Sequence, residues 1–352
     1  MKAYHLNEFG SADGIVLRDD PVPQPGPREA LVRVHARSLN YRDLLILSRQ
    51  YPLPATQGVV PISDGAGVVV AVGEGVTRLA PGDRVAATYF PRWRDGRIEP
   101  DLGMEQFGCT RDGMLSEFIL ADEQAFVQVP AHLSFEEAAT LPCAGVTAWS
   151  ALNGPRRVLP GESVLTIGSG GVALFALQFA KIFGARVMAI TSSEGKVALL
   201  ERLGADDVID YRKNPDWDRL VRELTGGRGV DHVVETGSID TLPKSLAACA
   251  WNAEVALVLA LTGGTLDVTA LRGLVAVRRI FVGSRAAFEA MNRAITRHQL
   301  RPVIDRVFPF DEVRAAYAHF GQRQQAMGIV GRGRRELGQT LYGPDTRHSN
   351  IH

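Results

Sequence analysis

Short apolar stretches, broken by glycine and proline, predict a β-rich region over residues 1–130. Residues 30–36 alternate apolar and polar side chains, as a strand with one buried face does, and residues 65–72 form a continuous apolar run. Residues 84–89 and 116–120 are further predicted strands. Short strands separated by turn residues are typical of a compact barrel-like β domain.

From Gly161 onward the pattern changes to strands that alternate with helices. The strands are predicted at residues 164–167, 186–191, 207–210, 230–235, 254–260 and 278–282, and the helices at residues 172–183, 194–203, 217–224 and 240–250. Repeated βα units of this kind predict a doubly wound parallel sheet. A helix at residues 286–297 then leads to residues 301–320, which are expected to return to the β domain.

A glycine-rich turn separates the first strand and the first helix of this second region. It fits the pattern G-x-G-x-x-A and consists of Gly168, Ser169, Gly170, Gly171, Val172 and Ala173. Glycines there let the backbone approach a pyrophosphate, and the helix N-terminus contributes free N–H groups and partial positive charge. The turn therefore predicts a dinucleotide site. The alternative is an ordinary tight turn between a strand and a helix.

Composition narrows the class of protein. The 352 residues are 45% apolar and 22% charged, with a formal net charge of zero, which predicts about two globular domains and gives no indication of nucleic-acid or membrane binding. The three cysteines are widely spaced without a CxxC pair, so neither a disulfide framework nor a four-cysteine zinc lobe is expected. The N-terminus has no apolar signal core. We expect a reduced, cytoplasmic protein.

Seven segments in a shared order carry a resemblance to a known family. They are residues 38–43 (Ser-Leu-Asn-Tyr-Arg-Asp), 61–67, 72–77, 81–85, 138–149, the glycine turn and residues 301–310. Over residues 1–333 the chain resembles the medium-chain dehydrogenase/reductase superfamily, in its zinc-free, quinone oxidoreductase-like branch. The resemblance implies a GroES-like β-barrel catalytic domain (residues 1–144 and 285–337), a Rossmann NADP-binding domain (residues 145–284) and a cleft between them. It also implies a homodimer. Residues 338–352 are expected to be a disordered tail.

The residues at the family's zinc positions argue against a metal. Zinc members hold a catalytic ion with a Cys, a His and a second Cys, and carry a Glu beside the His. Here Asn40 stands at the first Cys position, Ser63 at the His position, and Asp64 in place of the Glu. Only Cys143 remains, whereas a catalytic zinc needs about three protein ligands. We expect no zinc, and we interpret Cys143 as a small buried apolar residue.

The second Rossmann strand bears on the choice of cofactor. An NAD site carries an acidic residue about 20 residues after the glycines, but this strand ends in Thr191, Ser192 and Ser193. These hydroxyls and Lys196 could bind a 2′-phosphate. Glu194 is the competing ribose ligand, although a capping box with Thr191 would give it a structural task. We therefore predict NADPH rather than NADH.

The resemblance suggests two further cofactor contacts. Tyr211 matches a position that contacts the adenosine end in related reductases; the alternative is a surface tyrosine that packs on its own loop. Thr147 follows Cys143 in the linking helix and is expected near the nicotinamide.

A zinc-free cleft must stabilise a developing oxyanion by hydrogen bonds. That suits hydride transfer to a quinone, an enone or a 2-alkenal, followed by protonation. Tyr51 resembles the acid tyrosine of the enoyl-reductase branch; the alternative is a rim aromatic residue. Asn40 and Tyr41 are expected to line the substrate site, unless Asn40 only binds the local backbone. Asp64 is expected either to orient the proton donor or to cap a turn.

Two other functions stay open. The protein could be a zinc-independent alcohol dehydrogenase or carbonyl reductase, or a cofactor-binding module with little turnover. The chain also departs from its relatives at residues 250–254, where they carry a Pro-Gly-Gly-type turn, and at residues 259–261. Bulky residues at the nicotinamide end are expected to narrow the pocket and affect turnover.

Overall fold

The computed structural model describes residues 1–258, 265–271, 273–322 and 330–332. The departure at residues 259–261 and the predicted tail, residues 338–352, lie outside the described residues. No helix within the described residues is long and apolar enough to cross a membrane.

The first half of the chain is rich in short strands. Its strands are β1 (Lys2–Leu6), β2 (Ile15–Asp19), β3 (Glu29–Ser38), β4 (Asp64–Val72), β5 (Arg84–Ala87), β6 (Phe118–Asp122) and β7 (Phe126–Gln128). Its helices are α1 (Tyr41–Leu47), α2 (Pro100–Met104), α3 (Phe135–Ala139) and α4 (Val146–Leu152).

The second half alternates strands and helices. Its strands are β8 (Ser163–Ile167), β9 (Arg186–Thr191), β10 (Asp207–Asp210), β11 (Val230–Glu235), β12 (Cys249–Leu257), β13 (Ala276–Arg279), β14 (Val307–Pro309) and β15 (Val330–Arg332). Its helices are α5 (Gly171–Ile182), α6 (Val197–Arg202), α7 (Trp217–Leu224), α8 (Leu242–Ala247), α9 (Arg285–His298) and α10 (Val313–Gly321).

Six parallel strands form the predicted doubly wound sheet, in the order β10-β9-β8-β11-β12-β13. This order, 3-2-1-4-5-6 in the chain, is that of a Rossmann domain, and it reverses direction between β8 and β11. Every residue of β8 is buried, as expected for a parallel strand covered on both faces. The carboxyl ends of β8 and β11 therefore border the crevice in which such folds bind ligands.

The second large sheet forms the β domain predicted from the N-terminal pattern, which the family resemblance implies to be GroES-like. Its strands follow the order β14-β15-β3-β4-β5-β7, and β6 pairs with β3. Near it, Phe308, Phe310 and Tyr317 pack in one apolar cluster with Tyr4 and Leu6. The chain thus returns to its N-terminal part after the Rossmann sheet. The domain boundaries at residues 144/145 and 284/285 stay a prediction.

Strand β12 begins further from its predicted start than any other predicted strand. β12 starts at Cys249, five residues before the predicted start at residue 254, and β13 starts at residue 276 rather than 278. Asn252 adopts a φ of 61°, a left-handed conformation that asparagine tolerates, so residues 250–254 stay in the strand without a glycine turn. They lie toward the amino end of β12, opposite the edge where the glycine turn lies, and so do not narrow a nicotinamide pocket there.

Candidate active site

The glycine turn follows β8 at the carboxyl edge of the parallel sheet. Gly168 has a φ of +90°, and a Cβ there would lie 3.2 Å from the hydroxyl of Thr236, which itself donates to the carbonyl of Ile167. Gly170 precedes α5 in an extended conformation, and a Cβ built on it meets no atom within 4 Å. The start of this 12-residue helix is therefore open to a ligand, and the turn fits a pyrophosphate.

The predicted 2′-phosphate residues lie at the end of the neighbouring strand. Thr191 is buried, its hydroxyl lies 3.5 Å from that of Ser169, and its carbonyl accepts the N–H of Tyr211 at 3.0 Å. The Tyr211 side chain is 43% exposed, so it can lie against a ligand at this edge. The half-buried Ser192, Ser193 and Lys196 follow, and burial lowers the pKa of Lys196.

The predicted capping box between Thr191 and Glu194 is wrong. The Thr191 hydroxyl accepts the N–H of Ser193 at 3.2 Å, and the Glu194 carboxylate accepts from Lys213 Nζ at 2.8 Å on the surface. The cause is that the first turn, Glu194–Lys196, begins after Ser193 rather than after Thr191. Glu194 therefore has no capping task, and it stays a candidate for the ribose.

Asp64 is fully buried where β4 meets the linking helix. Its Oδ1 accepts the hydroxyl of Ser63 at 2.6 Å, and its Oδ2 accepts the N–H of Cys143 at 2.8 Å. Burial raises the pKa of Asp64 to about 7, and the Ser63 and Cys143 hydrogen bonds partly oppose that rise. Cys143 lies in the π-helical turn Leu141–Gly145, and the buried Thr147 follows on α4. Asp64 thus joins the β domain to the helix that leads into the Rossmann domain.

The residues at the family's zinc positions do not fit a zinc site. Both oxygens of Asp64 already accept hydrogen bonds, and Ser63 donates one of them. Burial and the Asp64 carboxyl raise the pKa of the Cys143 thiol well above its usual range, whereas zinc binds a thiolate. Within the described residues no group of three metal-ligating side chains occurs. Zinc independence itself stays a prediction.

Asn40 and Tyr41 begin α1. The Asn40 N–H donates to Asp43 Oδ2 at 2.8 Å, and its side-chain amide lies 3.4 Å from the carbonyl of Ser38. Tyr41 is 47% exposed on the first turn. Asn40 also contributes a hydrogen bond that lowers the pKa of Asp64, so it belongs to the same buried group.

Tyr51 belongs to a hydrogen-bonded triangle with Tyr89 and Gln106. The Tyr51 hydroxyl lies 2.8 Å from that of Tyr89 and donates to Gln106 Oε1 at 2.8 Å, and the Tyr89 hydroxyl lies 3.0 Å from the same oxygen. The Arg42 guanidinium carbon lies 5.2 Å from the Tyr51 ring centroid and 4.8 Å from that of Tyr89. A buried cation thus faces both phenols. This contact favours the interpretation of Tyr51 as a member of a polar cluster over the alternative that Tyr51 is only a rim aromatic residue.

An aromatic wall extends from this triangle to the Rossmann domain. The ring of Phe281, which follows β13, lies 6.2 Å from that of Tyr89 and 5.1 Å from that of Phe90. Phe90 in turn packs against Trp93 at 5.6 Å, and the Trp93 carbonyl accepts the N–H of Arg285. The triangle therefore lies beside a junction between the two domains, where a substrate cleft is expected.

Sequence reasoning missed Arg42, Tyr89 and Gln106. Arg42 lies within residues 38–43, one of the segments that carry the family resemblance, and this position was a signal. Its contacts with the two phenols could not be foreseen from the sequence. Tyr51 is separated from Tyr89 by 38 positions and from Gln106 by 55, so no local pattern joins them. Glu235, buried at the end of β11, was missed as well. It accepts the N–H of Gly237 at 2.7 Å and shapes the loop beside the glycine turn.

Comparison with known proteins identifies the class of this fold and site. Residues 26–131 match the alcohol dehydrogenase GroES-like domain, and residues 171–297 match the zinc-binding dehydrogenase domain. A zinc-type alcohol dehydrogenase-like protein of Schizosaccharomyces pombe is 40% identical over 90% of this chain and 96% of that protein. A quinone oxidoreductase of Pseudomonas aeruginosa is 30% identical over 94% of this chain and 98% of that protein.

A solved structure agrees with these matches. The crystal structure of a putative alcohol dehydrogenase from Sinorhizobium meliloti 1021 superposes with a TM-score of 0.89 at 39% identity, covering 94% of this chain and 98% of that one. The two domains are those of a two-domain dehydrogenase. The chain belongs to the medium-chain dehydrogenase/reductase superfamily, whose members bind NAD(H) or NADP(H), and it is an oxidoreductase.

Proposed function

We propose that the protein transfers a hydride from NADPH to an activated acceptor, a quinone, an enone or a 2-alkenal, without catalytic zinc. One observation carries the proposal. At the zinc positions the Asp64 carboxyl accepts from the Ser63 hydroxyl and from the Cys143 main-chain N–H, while a phenol held by Tyr89, Gln106 and Arg42 lies at the same cleft. The similarity to a quinone oxidoreductase supports the class of acceptor.

The cofactor would lie along the carboxyl edge of the Rossmann sheet, and its nicotinamide would supply the hydride. In this proposal the turn of Gly168, Ser169, Gly170, Gly171 and Val172 holds the pyrophosphate. The hydroxyls of Thr191, Ser192 and Ser193, with Lys196, hold the 2′-phosphate. Tyr211 packs against the adenosine, and Thr147 contacts the nicotinamide side.

The catalytic domain would complete the reaction. Tyr51 delivers a proton to the carbon next to the carbonyl, because its hydroxyl is held at the cleft and is a neutral O–H donor. Asn40 and Tyr41 line the substrate site. Asp64 keeps β4 and the linking helix in register through its bonds to Ser63 and Cys143.

A zinc-independent alcohol dehydrogenase or carbonyl reductase is the second candidate. It is favoured by the alcohol dehydrogenase relatives and by Asp64, whose pKa of about 7 suits a group that exchanges protons near neutrality. A cofactor-binding module with little turnover is the third. The three candidates differ in their products.

The experiment is product analysis after incubating the metal-stripped protein with NADPH and a 2-alkenal. A saturated aldehyde, formed at the rate of the untreated protein, is the expected result. An allylic alcohol would replace the proposal with carbonyl reduction. Activity that returns only when zinc is added back would contradict zinc independence. NADPH binding without product across quinones, enones and alkenals would favour the binding module.

We also propose a homodimer formed through the edge of the Rossmann sheet. Strand β13 pairs with β12 alone among the described strands, and apolar side chains lie exposed around it. Trp251 is 74% exposed and Leu274 75% exposed, and Val268, Val277 and Phe281 are exposed as well. Such a patch at an unpaired edge favours association with a second copy. Light scattering should give twice the chain mass, and Trp251→Lys should give the single-chain mass. A cytoplasmic location stays a prediction.

A further inference from the structure

Three short contacts join Tyr51, Tyr89 and Gln106, yet the two phenols carry only one proton each. The Gln106 amide nitrogen donates to the carbonyl of Gly103 at 2.9 Å, so its oxygen faces the phenols and can only accept. If both phenols donated to Gln106, the 2.8 Å contact between them would hold no hydrogen. One contact of the triangle therefore always lacks a proton, and a hydrogen bond from one phenol to the other places that gap at Gln106 instead of between the phenols.

The two phenols are not equivalent. Tyr89 is 2% exposed, whereas Tyr51 is half-buried and is the phenol that a substrate can reach. When Tyr89 donates to Tyr51, the proton of Tyr51 rests on Gln106 Oε1 and can be turned toward a ligand. The oxygen of Tyr51 then still accepts a hydrogen bond from the Tyr89 hydroxyl after the proton of Tyr51 has left.

Arg42 adds positive charge to the same place. Its Nη1 donates to the carbonyl of Phe107 at 2.8 Å, and its Nε and Nη2 are buried without a hydrogen-bond partner within the described part of the chain. Such a cation has spare donors for negative charge that develops beside it. Burial raises the pKa of Tyr51, and Arg42 and the hydrogen bond from Tyr89 oppose that rise. The same hydrogen bond raises the pKa of Tyr89, so Tyr51 is the phenol that loses its proton more readily.

We propose that Tyr89 and Arg42 are positioning residues that prepare Tyr51 to release its proton to the substrate. The inference rests on the proposed function, because it requires an acceptor for that proton. It assigns no contact with the substrate to either residue. Both act through the oxygen and the ring of Tyr51.

The step balances as follows for an enone. Hydride addition at the β-carbon leaves an enolate, and the O–H bond of Tyr51 breaks as a C–H bond forms at the α-carbon. The electron pair of the O–H bond stays on the Tyr51 oxygen, held by the Tyr89 hydroxyl and by Arg42. A solvent proton restores the phenol after the product leaves. The overall reaction adds one hydride and one solvent proton across the double bond.

The test compares Tyr89→Phe, Tyr51→Phe and the double variant by kcat across pH. Removing a hydrogen bond to a charged oxygen should lower kcat of Tyr89→Phe by about tenfold or more. Because the phenolate of Tyr51 loses a donor, its pKa rises, and the alkaline limb of the profile should move up by about one pH unit. The double variant should be no slower than Tyr51→Phe. Additive losses in the double variant would overturn the inference.

A second readout does not depend on turnover. Carbon-13 tyrosine NMR, with Tyr51→Phe to assign the signal, should show the pKa of Tyr51 higher in Tyr89→Phe than in the unaltered protein. An unchanged pKa of Tyr51 would overturn the inference. The other charged and titratable groups around the pair are Arg42, Asp43, Cys109 and Cys143. None of them is altered in this variant, so the shift reports the missing hydroxyl.

Tyr317→Phe is the matched control. Tyr317 is a buried tyrosine of α10 in the field of Arg42 and Asp43, but it does not belong to the triangle. Neither kcat nor the alkaline limb should move in this variant; equal shifts in Tyr317→Phe and Tyr89→Phe would overturn the inference. If the protein reduces no acceptor, the proposed function fails, and the NMR titration alone decides whether Tyr89 tunes Tyr51.

Discussion

Two regions of this protein are built differently: the proposed cofactor edge, at the carboxyl end of the Rossmann sheet, and the proposed catalytic cluster, which consists of the Asp64 group and the phenol triangle. The edge offers main-chain N–H groups at the start of α5, and Gly170 leaves open space in front of them. The cluster offers buried or half-buried side chains that bond to one another, as Ser63 does to Asp64 and as the phenols do in the triangle. A main-chain site depends on the absence of side chains. A buried polar network depends on every member, because a group left without its partner is costly.

The largest effect is expected at the catalytic cluster. Tyr51→Phe should lower kcat for an enone by about a hundredfold, the range for the loss of a general acid. The dissociation constant of NADPH should not change, because Tyr51 lies in the β domain. Steady-state kinetics and fluorescence titration measure the two quantities. A kcat within a factor of two of the unaltered protein would remove Tyr51 as the proton donor.

A substitution at the cofactor edge should change the other quantity, the affinity for NADPH. Gly170→Val should weaken NADPH binding by about tenfold or more, since the side chain fills the space for the pyrophosphate. Its extended backbone suits any residue and the new Cβ meets no protein atom, so the unfolding midpoint should stay the same. Calorimetry and thermal unfolding check both parts.

Gly168→Ala is the matched contrast. Its φ of +90° is strained for any side chain, and the Cβ would crowd Thr236, so this variant should lose stability. NADPH binding retained in Gly170→Val would contradict the placement of the cofactor.

The choice between cofactors is expected to respond more weakly. Thr191→Asp puts a carboxylate at the end of β9, which should shift the ratio of NADPH to NADH affinity toward NADH by about tenfold. Because Glu194 is not a cap, Glu194→Gln is the necessary companion. If Glu194 holds a ribose, Glu194→Gln should weaken NADH binding. If the site is built for NADPH, Glu194→Gln should cause no loss of binding. Unchanged relative affinity in Thr191→Asp would contradict the account of this edge.

The last expected effect concerns stability rather than binding or turnover. Burial raises the pKa of Asp64 to about 7, so between its ordinary range and that value the folded protein holds a proton that the unfolded chain does not. The contribution of the Asp64 carboxyl to the free energy of unfolding is complete at low pH. It is lost as pH rises, at about 1.4 kcal/mol per pH unit over that window.

Asp64→Asn should remove this loss. Urea unfolding at pH 5 and pH 8 should therefore show a steeper fall for the unaltered protein than for the variant. An equal fall in the two proteins would mean that Asp64 ionises normally.

The two regions also differ in how far the sequence foretold them. The turn from Gly168 to Val172 is contiguous, so its strand, glycines and helix could be predicted together. The doubly wound parallel sheet followed from the same alternation of strands and helices. The network of Tyr51, Tyr89 and Gln106 could not be predicted, because its members come from separate loops that only the folded sheet brings together.

The failed predictions have local causes. The capping box failed because hydroxyl and carboxylate spacing does not determine where a helical turn begins, and here it begins after Ser193. The start of β12 was missed because Asn252 takes a left-handed conformation inside a strand. In both cases the spacing of residue types was compatible with two starting points of the element.

The most direct test of the central claim is to trace deuterium into the product of a 2-alkenal. The metal-stripped protein would be given NADPH deuterated at the transferable position in water, and in parallel ordinary NADPH in heavy water. The account predicts cofactor deuterium on the β-carbon and solvent deuterium on the α-carbon of a saturated aldehyde. Cofactor deuterium on the former carbonyl carbon, in an allylic alcohol, would contradict it.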